Sequence, residues 1–207
     1  MITDHKQSIP LAPGPMSLIS LQLDEGLGDA GLALSKVLQR RKSSHEFSQR
    51  AISLTTLSHL LWAACGVNRP DSNHRTAPSA KNVQEIDIYV AMQSGLYLFD
   101  AVASALRLIL EEDIRAETGW QDFVPTVPVN LIYVANFNKM DTAPVEEKKF
   151  CAALDTGFIS QNVYLFCAAE GLATVVRDWV DRPVLAKAMK LEPEQSIIAA
   201  QSVGYAL

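Results

Sequence analysis

One stretch, residues 146–170, sets the terms for any fold of this 207-residue chain. It opens behind Pro144 with Glu146 and Glu147, where acidic side chains suit the positive end of a helix dipole. It stops at Gly171, the residue type best suited to a left-handed cap. Across residues 152–169 the pattern is apolar on most sides, broken by Asp155, Thr156, Ser160, Gln161 and Asn162. A helix of that kind is expected to be buried all round, at the centre of a domain or at a subunit interface.

The elements around it mix helices and strands without regular βαβ alternation, so the expected class is α+β. Residues 1–28 carry Pro10, Pro13, Pro15, Gly14, Gly26 and Gly28 and read as an extended arm rather than a packed element, followed by one domain over 29–207. A helix is expected over 29–41. Ser53 can cap a second one, in which Leu57, Leu60, Leu61 and Ala64 fall on one face, with Gly66 placed for a left-handed end. Residues 67–84 read as a polar loop. Ile86, Ile88, Val90 and Met92 alternate with Asp87, Tyr89 and Ala91, the period of a strand, and Gln93-Ser94-Gly95 turns it into a hairpin. The β-branched run 129–135 reads as a central buried strand. A brief extended segment at 174–176, a helix over 183–190 and a last strand over 197–204 complete the pattern.

Composition narrows the function classes. A hydrophobic share of 48% and a charged share of 20% are ordinary for a globular protein. A net charge of −5 argues against nucleic acid or an anionic membrane as the main partner. No apolar run approaches the roughly 18 residues that span a bilayer, and no secretory leader is visible, so the expected compartment is the cytoplasm. Cys65, Cys151 and Cys167 form no C-x-x-C pair and read as reduced, buried packing residues. There is no P-loop, G-x-G-x-x-G, H-E-x-x-H or G-x-S-x-G, and His5, His45, His59 and His74 show no metal-ligand spacing. No catalytic triad, acid or base stands out.

Three polar clusters remain. Arg40-Arg41-Lys42-Ser43-Ser44-His45 offers charge-assisted donors at a density that suits a phosphate, although cations at a helix C-terminus also fit a plain solvated end. The second, residues 75–84, holds Ser79, Asn82 and Gln84 just before a strand and can present hydrogen-bond partners to a heterocycle's edge, or be an ordinary loop. Residues 171–179 leave the long helix as an extended strip whose amides can approach a planar ligand, with Arg177 adding charge; taken alone, the strip reads rather as a structural connector.

In this order the clusters resemble the nitroreductase family, nearest its short branch that includes the SagB-type dehydrogenases. The resemblance is carried by Arg41-Lys42-Ser43-Ser44-His45-Glu46-Phe47, by Leu60-Leu61-Trp62-Ala63-Ala64 before Gly66-Val67-Asn68-Arg69, and by Pro78-Ser79-Ala80-Lys81-Asn82-Val83-Gln84. Gly95-Leu96-Tyr97, Asp155-Thr156-Gly157, Gln161-Asn162, Gly171-Leu172 and Val203-Gly204-Tyr205 extend it over roughly residues 35–207. It implies a three-layer α+β sandwich with a mostly antiparallel sheet, a homodimer and FMN at each interface. Arg41, Lys42, Ser43 and His45 would hold the phosphate, ribityl chain and pyrimidine edge. Pro78, Ser79 and Asn82 would come from the partner subunit, and the strip from Val175 through Val176 and Arg177 to Asp178 would run beside the flavin's reactive edge. NAD(P)H would be the hydride donor in a ping-pong reaction with a small nitroaromatic, quinone or similar acceptor.

Two departures qualify that picture. His45 stands where the family usually has Arg or Lys, and the chain ends soon after Gly204-Tyr205, before basic residues that longer members carry. The alternatives are a SagB-type dehydrogenase of a peptide-derived heterocycle, a non-enzymatic flavin-binding protein, and a structural dimer without cofactor.

Overall fold

The structure, a computed structural model, describes residues 17–23, 31–140 and 143–207. It is a three-layer α+β sandwich, as the resemblance implied. Its centre is a seven-stranded sheet in the order β1-β6-β5-β4-β7-β9-β8, built from β1 (Leu18–Ser20), β4 (Ile86–Met92), β5 (Gly95–Asp100), β6 (Ala105–Leu110), β7 (Val129–Asn136), β8 (Leu172–Arg177) and β9 (Gln195–Tyr205). Every pairing in it is antiparallel. The helices are α1 (Leu34–Arg40), α2 (Leu54–Cys65), α3 (Val145–Glu170) and α4 (Arg182–Ala188); β2 (Val67–Arg69) and β3 (His74–Arg75) form a separate small hairpin.

Alternation along the central strands assigns the layers. Ile86, Ile88 and Val90 of β4 and Leu131, Tyr133 and Ala135 of β7 face Leu57, Leu60, Leu61 and Ala64 of α2 and Ile159, Val163 and Cys167 of α3. The opposite side chains, Tyr89 and Ala91 of β4 with Ile132 and Val134 of β7, pack on Leu185 of α4 and on Met189. Strand β7 is therefore buried on both faces, which is why its sequence is apolar without alternating. Ser53 caps α2 by accepting from the Thr56 amide at 3.0 Å, and Gly171 ends α3 with φ +72, both as expected.

Several expectations need correction. In the single chain α3 is covered on one side only, by residues including Ala152, Asp155, Ile159, Val163 and Cys167, while Phe150, Leu154 and Phe158 are 69%, 47% and 40% exposed. The first helix begins at Leu34, with 31–33 extended before it; Asp29 lies outside the described residues. Of the expected N-terminal arm only 17–23 are described, and Leu18–Ser20 is a sheet strand paired with β6, because the open edge of β6 offers a ladder of unpaired groups. Gly66 is extended (φ −74), not left-handed; glycine is required there because a Cβ would meet Trp62 at 2.5 Å. The 67–84 loop contains the β2–β3 hairpin. Strand β6 was not anticipated.

Gly95 turns the β4–β5 hairpin at φ +140, and a Cβ there would lie 2.3 Å from the Leu110 carbonyl oxygen. Gly95→Ala is expected to destabilise the protein by on the order of 2 kcal/mol or more, since both backbone strain and a backbone clash oppose it. Urea unfolding of the two proteins checks this; equal midpoints would refute it.

Candidate functional site

Strand β8 closes the sheet, and its outer edge has no strand beside it. The segment that follows α1 covers that edge. Arg41 N–H still closes the last helical turn onto Val37 C=O at 2.9 Å, and the chain then runs extended. Ser44 N–H donates to Thr174 C=O at 3.0 Å, and Ser48 N–H to Tyr205 C=O at 2.8 Å. Phe47 anchors the segment by burying its ring with Val127, Ala173 and Val175.

Tyr164 of α3 joins the pieces. Its hydroxyl accepts from the Val176 amide at 3.0 Å and lies 2.8 Å from Ser43 Oγ, while its ring sits 5.4 Å beneath the Arg41 guanidinium. His45 stacks on Phe123 with ring centroids 5.9 Å apart and planes 20° from parallel. Beside this junction is an open cavity of about 470 Å3, lined by Arg40, Lys42, Ser44, Tyr164, the end of α3, residues 171–174 and Ala206. Its size is that of a small-molecule site, and its polar wall is cationic and hydroxyl-bearing. Tyr164 thus joins the segment of Arg41 and Ser43 to Val176 of β8.

Arg177 departs from the expected role of adding charge to the strip. Its guanidinium turns inward, and the residue is 3% exposed. It donates to Thr118 C=O at 2.7 Å, Asn130 Oδ1 at 3.1 Å and Ser202 Oγ at 3.0 Å, with longer contacts to Thr118 Oγ1 and Gln121 Oε1. No described carboxylate pairs with it. Burial draws its pKa down to about 10, so the charge persists at neutral pH. A Cβ on Gly119 would lie 1.9 Å from its Nη1, so the loop at 119 can only approach as glycine.

The 78–84 loop lies elsewhere. Ala80 N–H donates to Asp155 Oδ2 at 2.9 Å, near the middle of α3, whereas the cationic segment meets α3 at Tyr164. Nine residues of helix separate the two, roughly 13 Å of rise. Within the loop, Ser79 Oγ accepts from Gln84 N–H at 2.9 Å and Asn82 Oδ1 from Gln84 Nε2 at 3.0 Å; Pro78 and Asn82 are exposed. Arg75 is held by Gln84 Oε1 at 3.0 Å and by Cys65 C=O at 3.1 Å. One chain therefore does not bring Pro78, Ser79 and Asn82 to the cationic cavity.

Burial pushes the Cys65 thiol up to about 11, and that of Cys167 higher still, in keeping with packing rather than reactive roles. No group of His, Cys, Asp and Glu suited to a metal ion occurs among the described residues. Nor is any described helix long and apolar enough to cross a membrane. Tyr164, Asn130 and Ser202 escaped the sequence reading. Asn130 and Ser202 do carry a signal, as amide and hydroxyl side chains interrupting otherwise apolar strands.

Residues 38–205 match the Nitroreductase family. A protein of Methanocaldococcus jannaschii assigned as a nitroreductase is 29% identical over 154 residues, covering 70% of this chain and 77% of its own. A crystal structure from Ralstonia eutropha JMP134, assigned likewise, is 40% identical with a TM-score of 0.86 over 95% of both chains. The Escherichia coli microcin synthetase McbBCD complex, with truncated pro-MccB17 bound, shares the fold at 18% identity and TM-score 0.73, covering 98% of this chain and 79% of that one. So does an FMN complex from Desulfovibrio desulfuricans, at 18% identity and TM-score 0.62, covering 86% and 88%.

Tyr164→Phe removes the hydroxyl shared by Ser43 and Val176. The expected loss is about 1 kcal/mol of stability, with faster hydrogen exchange at the Val176 amide. Unchanged exchange there would show that the hydroxyl bridge does not hold the segment.

Proposed function

Because the chain belongs to the nitroreductase family, we propose that it is an FMN-dependent oxidoreductase that works as a homodimer and takes hydride from NAD(P)H for a small nitroaromatic, quinone or similar acceptor. The observation that carries this reading is the convergence of Arg40, Lys42 and Ser44 with the first residues of β8 around a cavity of about 470 Å3, with Arg41 and Ser43 resting on Tyr164 in its wall. That donor set fits FMN: cations and hydroxyls for a phosphate, and an extended backbone strip with a buried support for a flat ring system. The FMN in the Desulfovibrio desulfuricans structure gives the cofactor a precedent on this fold.

FMN would supply the hydride chemistry itself. The chain's own tasks are binding, orientation and exclusion of water. Arg41, Lys42 and Ser43 hold the anionic end, and His45, fixed flat against Phe123, borders it. Val175 and Val176 border the ring system from a strip kept straight by β9 on one side and by Ser44 and Tyr164 on the other. Arg177 supports that strip from below by tying β8 to β7 and β9. Pro78, Ser79 and Asn82 serve the site of a second copy. Phe150, Leu154 and Phe158, spaced four residues apart along the uncovered side of α3, form the apolar surface such a copy would cover. No side chain here is assigned as a catalytic acid or base.

A second reading, a dehydrogenase of a peptide-derived heterocycle, draws on the likeness to the microcin synthetase complex, which at 18% identity is one of fold. Steady-state consumption of NAD(P)H with a quinone or nitroarene favours the first reading; turnover only with such a peptide favours the second.

The purified protein is expected to be a dimer that is yellow or turns yellow on adding FMN. Lys42→Ala and Arg41→Ala should each weaken FMN binding by roughly ten-fold or more, the value of one charge-assisted hydrogen bond. Phe150→Glu should shift the protein to monomer in sedimentation. A stable monomer without affinity for FMN would end this reading.

A further inference from the structure

Away from the cationic cavity, the residue directly before β4 holds a buried carboxyl group that the preceding reading leaves without a role. Glu85 is 0% exposed, and neither of its carboxylate oxygens has a hydrogen-bond partner. A dry carboxylate without donors is among the least stable arrangements a side chain can take. Asp155 of α3, itself 2% exposed, is the carboxylate that acts on Glu85, and Asp155 Oδ2 accepts the Ala80 amide of the adjoining loop.

That loop needs restraint. Lys81, Asn82 and Gln84 all take left-handed backbone conformations, with φ of 54°, 56° and 54°, which non-glycine residues seldom adopt unless their surroundings impose it. The Ala80–Asp155 hydrogen bond ties this strained loop to α3, and Glu85 follows directly, its carbonyl fixed by Asn136 N–H at 2.9 Å. Loop, carboxyl pair and helix form one unit.

We propose that Glu85 and Asp155 share one proton, and that this proton clamps the 78–84 loop onto α3. With the proton in place, Glu85 donates to Asp155 while Asp155 keeps an oxygen for Ala80. Without it, two carboxylates face each other in a dry space, and parting the loop from α3 to admit water relieves the repulsion. The clamp stands on the pair and the loop alone and does not depend on a flavin being bound.

The other charged and titratable groups nearby leave the pair uncompensated. Lys139, from the turn Phe137–Lys139, bonds Asp87 Oδ1 at 2.6 Å and Gln84 C=O at 3.3 Å; its charge only partly offsets the pair. Arg75 of β3 is held by Gln84 and Cys65. Cys65 of α2, its thiol raised by burial, adds no charge, and Asp87 of β4 is matched by Lys139. Burial foremost, then Asp155, pushes Glu85 up to about 7 from an ordinary 4.5. The native carboxyl pKa is raised, so the closed loop is fully stabilised below about 4.5 and loses that stabilisation as pH rises through about 7.

Hydrogen exchange at the Ala80 amide of the purified protein, corrected for intrinsic exchange chemistry, tests the clamp. Loop opening should increase about ten-fold per pH unit across that window and level off above it, as release of one proton requires. Glu85→Gln, which keeps a donor and cannot ionise, should make the opening independent of pH. In the wild-type protein the Glu85 carboxyl carbon, followed by 13C NMR, should titrate near 7. Asp155→Asn should lower that midpoint. A flat wild-type profile, a Glu85 midpoint in the ordinary carboxylate range, or a midpoint indifferent to Asp155→Asn would each overturn the proposal. Should Glu85→Gln fail to fold, the wild-type exchange and NMR titrations decide.

Discussion

Burial of β7 on both faces governs the architecture. A strand with Leu131 and Tyr133 on one side and Ile132 and Val134 on the other needs an apolar layer above and below, and neither α2 with α3 nor α4 can supply both. Once β4 and β9 flank it, β8 is pushed to the rim, and its outer edge requires a cover. The 41–48 segment is that cover, sewn to β8 at Ser44, tied to the end of β9 at Ser48 and plugged by Phe47. The position of the cations thus follows from the sheet: basic residues at the end of α1 are delivered to the strip at 172–177 because an open strand edge draws the chain there.

Arg177 and Glu85, both buried among the described residues, are treated in opposite ways. Arg177 enters the interior with a full set of acceptors from Thr118, Asn130 and Ser202, so it stays cationic although no carboxylate balances it. A guanidinium carries five donors in a rigid fork, and neutral oxygens can satisfy most of them. Glu85 has no donors aimed at it, and a carboxylate without donors has one escape, which is to keep its proton. The first arrangement gives a rigid cross-brace between β7, β8 and β9. The second gives a group whose state depends on the solution, placed beside the loop in which Lys81, Asn82 and Gln84 are left-handed.

Much of the layering was readable because it rests on periodicity. The alternation in β4, the unbroken apolar run of β7, the cap at Ser53 and the stop at Gly171 each record one local rule. What stayed hidden depends on distant partners. Leu18–Ser20 is a strand only because β6 presents an open edge, and Gly66 is glycine because of Trp62 rather than because of a left-handed turn. For the site, the cation cluster and the extended strip were both visible, but nothing in the sequence links residue 43 to 164 and 176; a tyrosine hydroxyl does that. Arg177 was legible as a charge and not as an inward one, since the direction a strand residue faces depends on register with β9.

Helix α3 explains why a single copy leaves its polar clusters apart. Its covered side carries Asp155, which holds the 78–84 loop, and Tyr164, on which the cationic segment rests, roughly 13 Å further along the axis. Neither can slide toward the other without breaking the packing of Ile159 and Val163 between them. Bringing the two clusters together requires a second loop from outside the chain. In the proposed dimer, α3 packs through Phe150, Leu154 and Phe158, and a two-fold relation makes every contact occur twice. Each loop displaced from its own cavity is then available to its partner's, so the apolar composition on all sides of α3 and the separation of the clusters have one explanation.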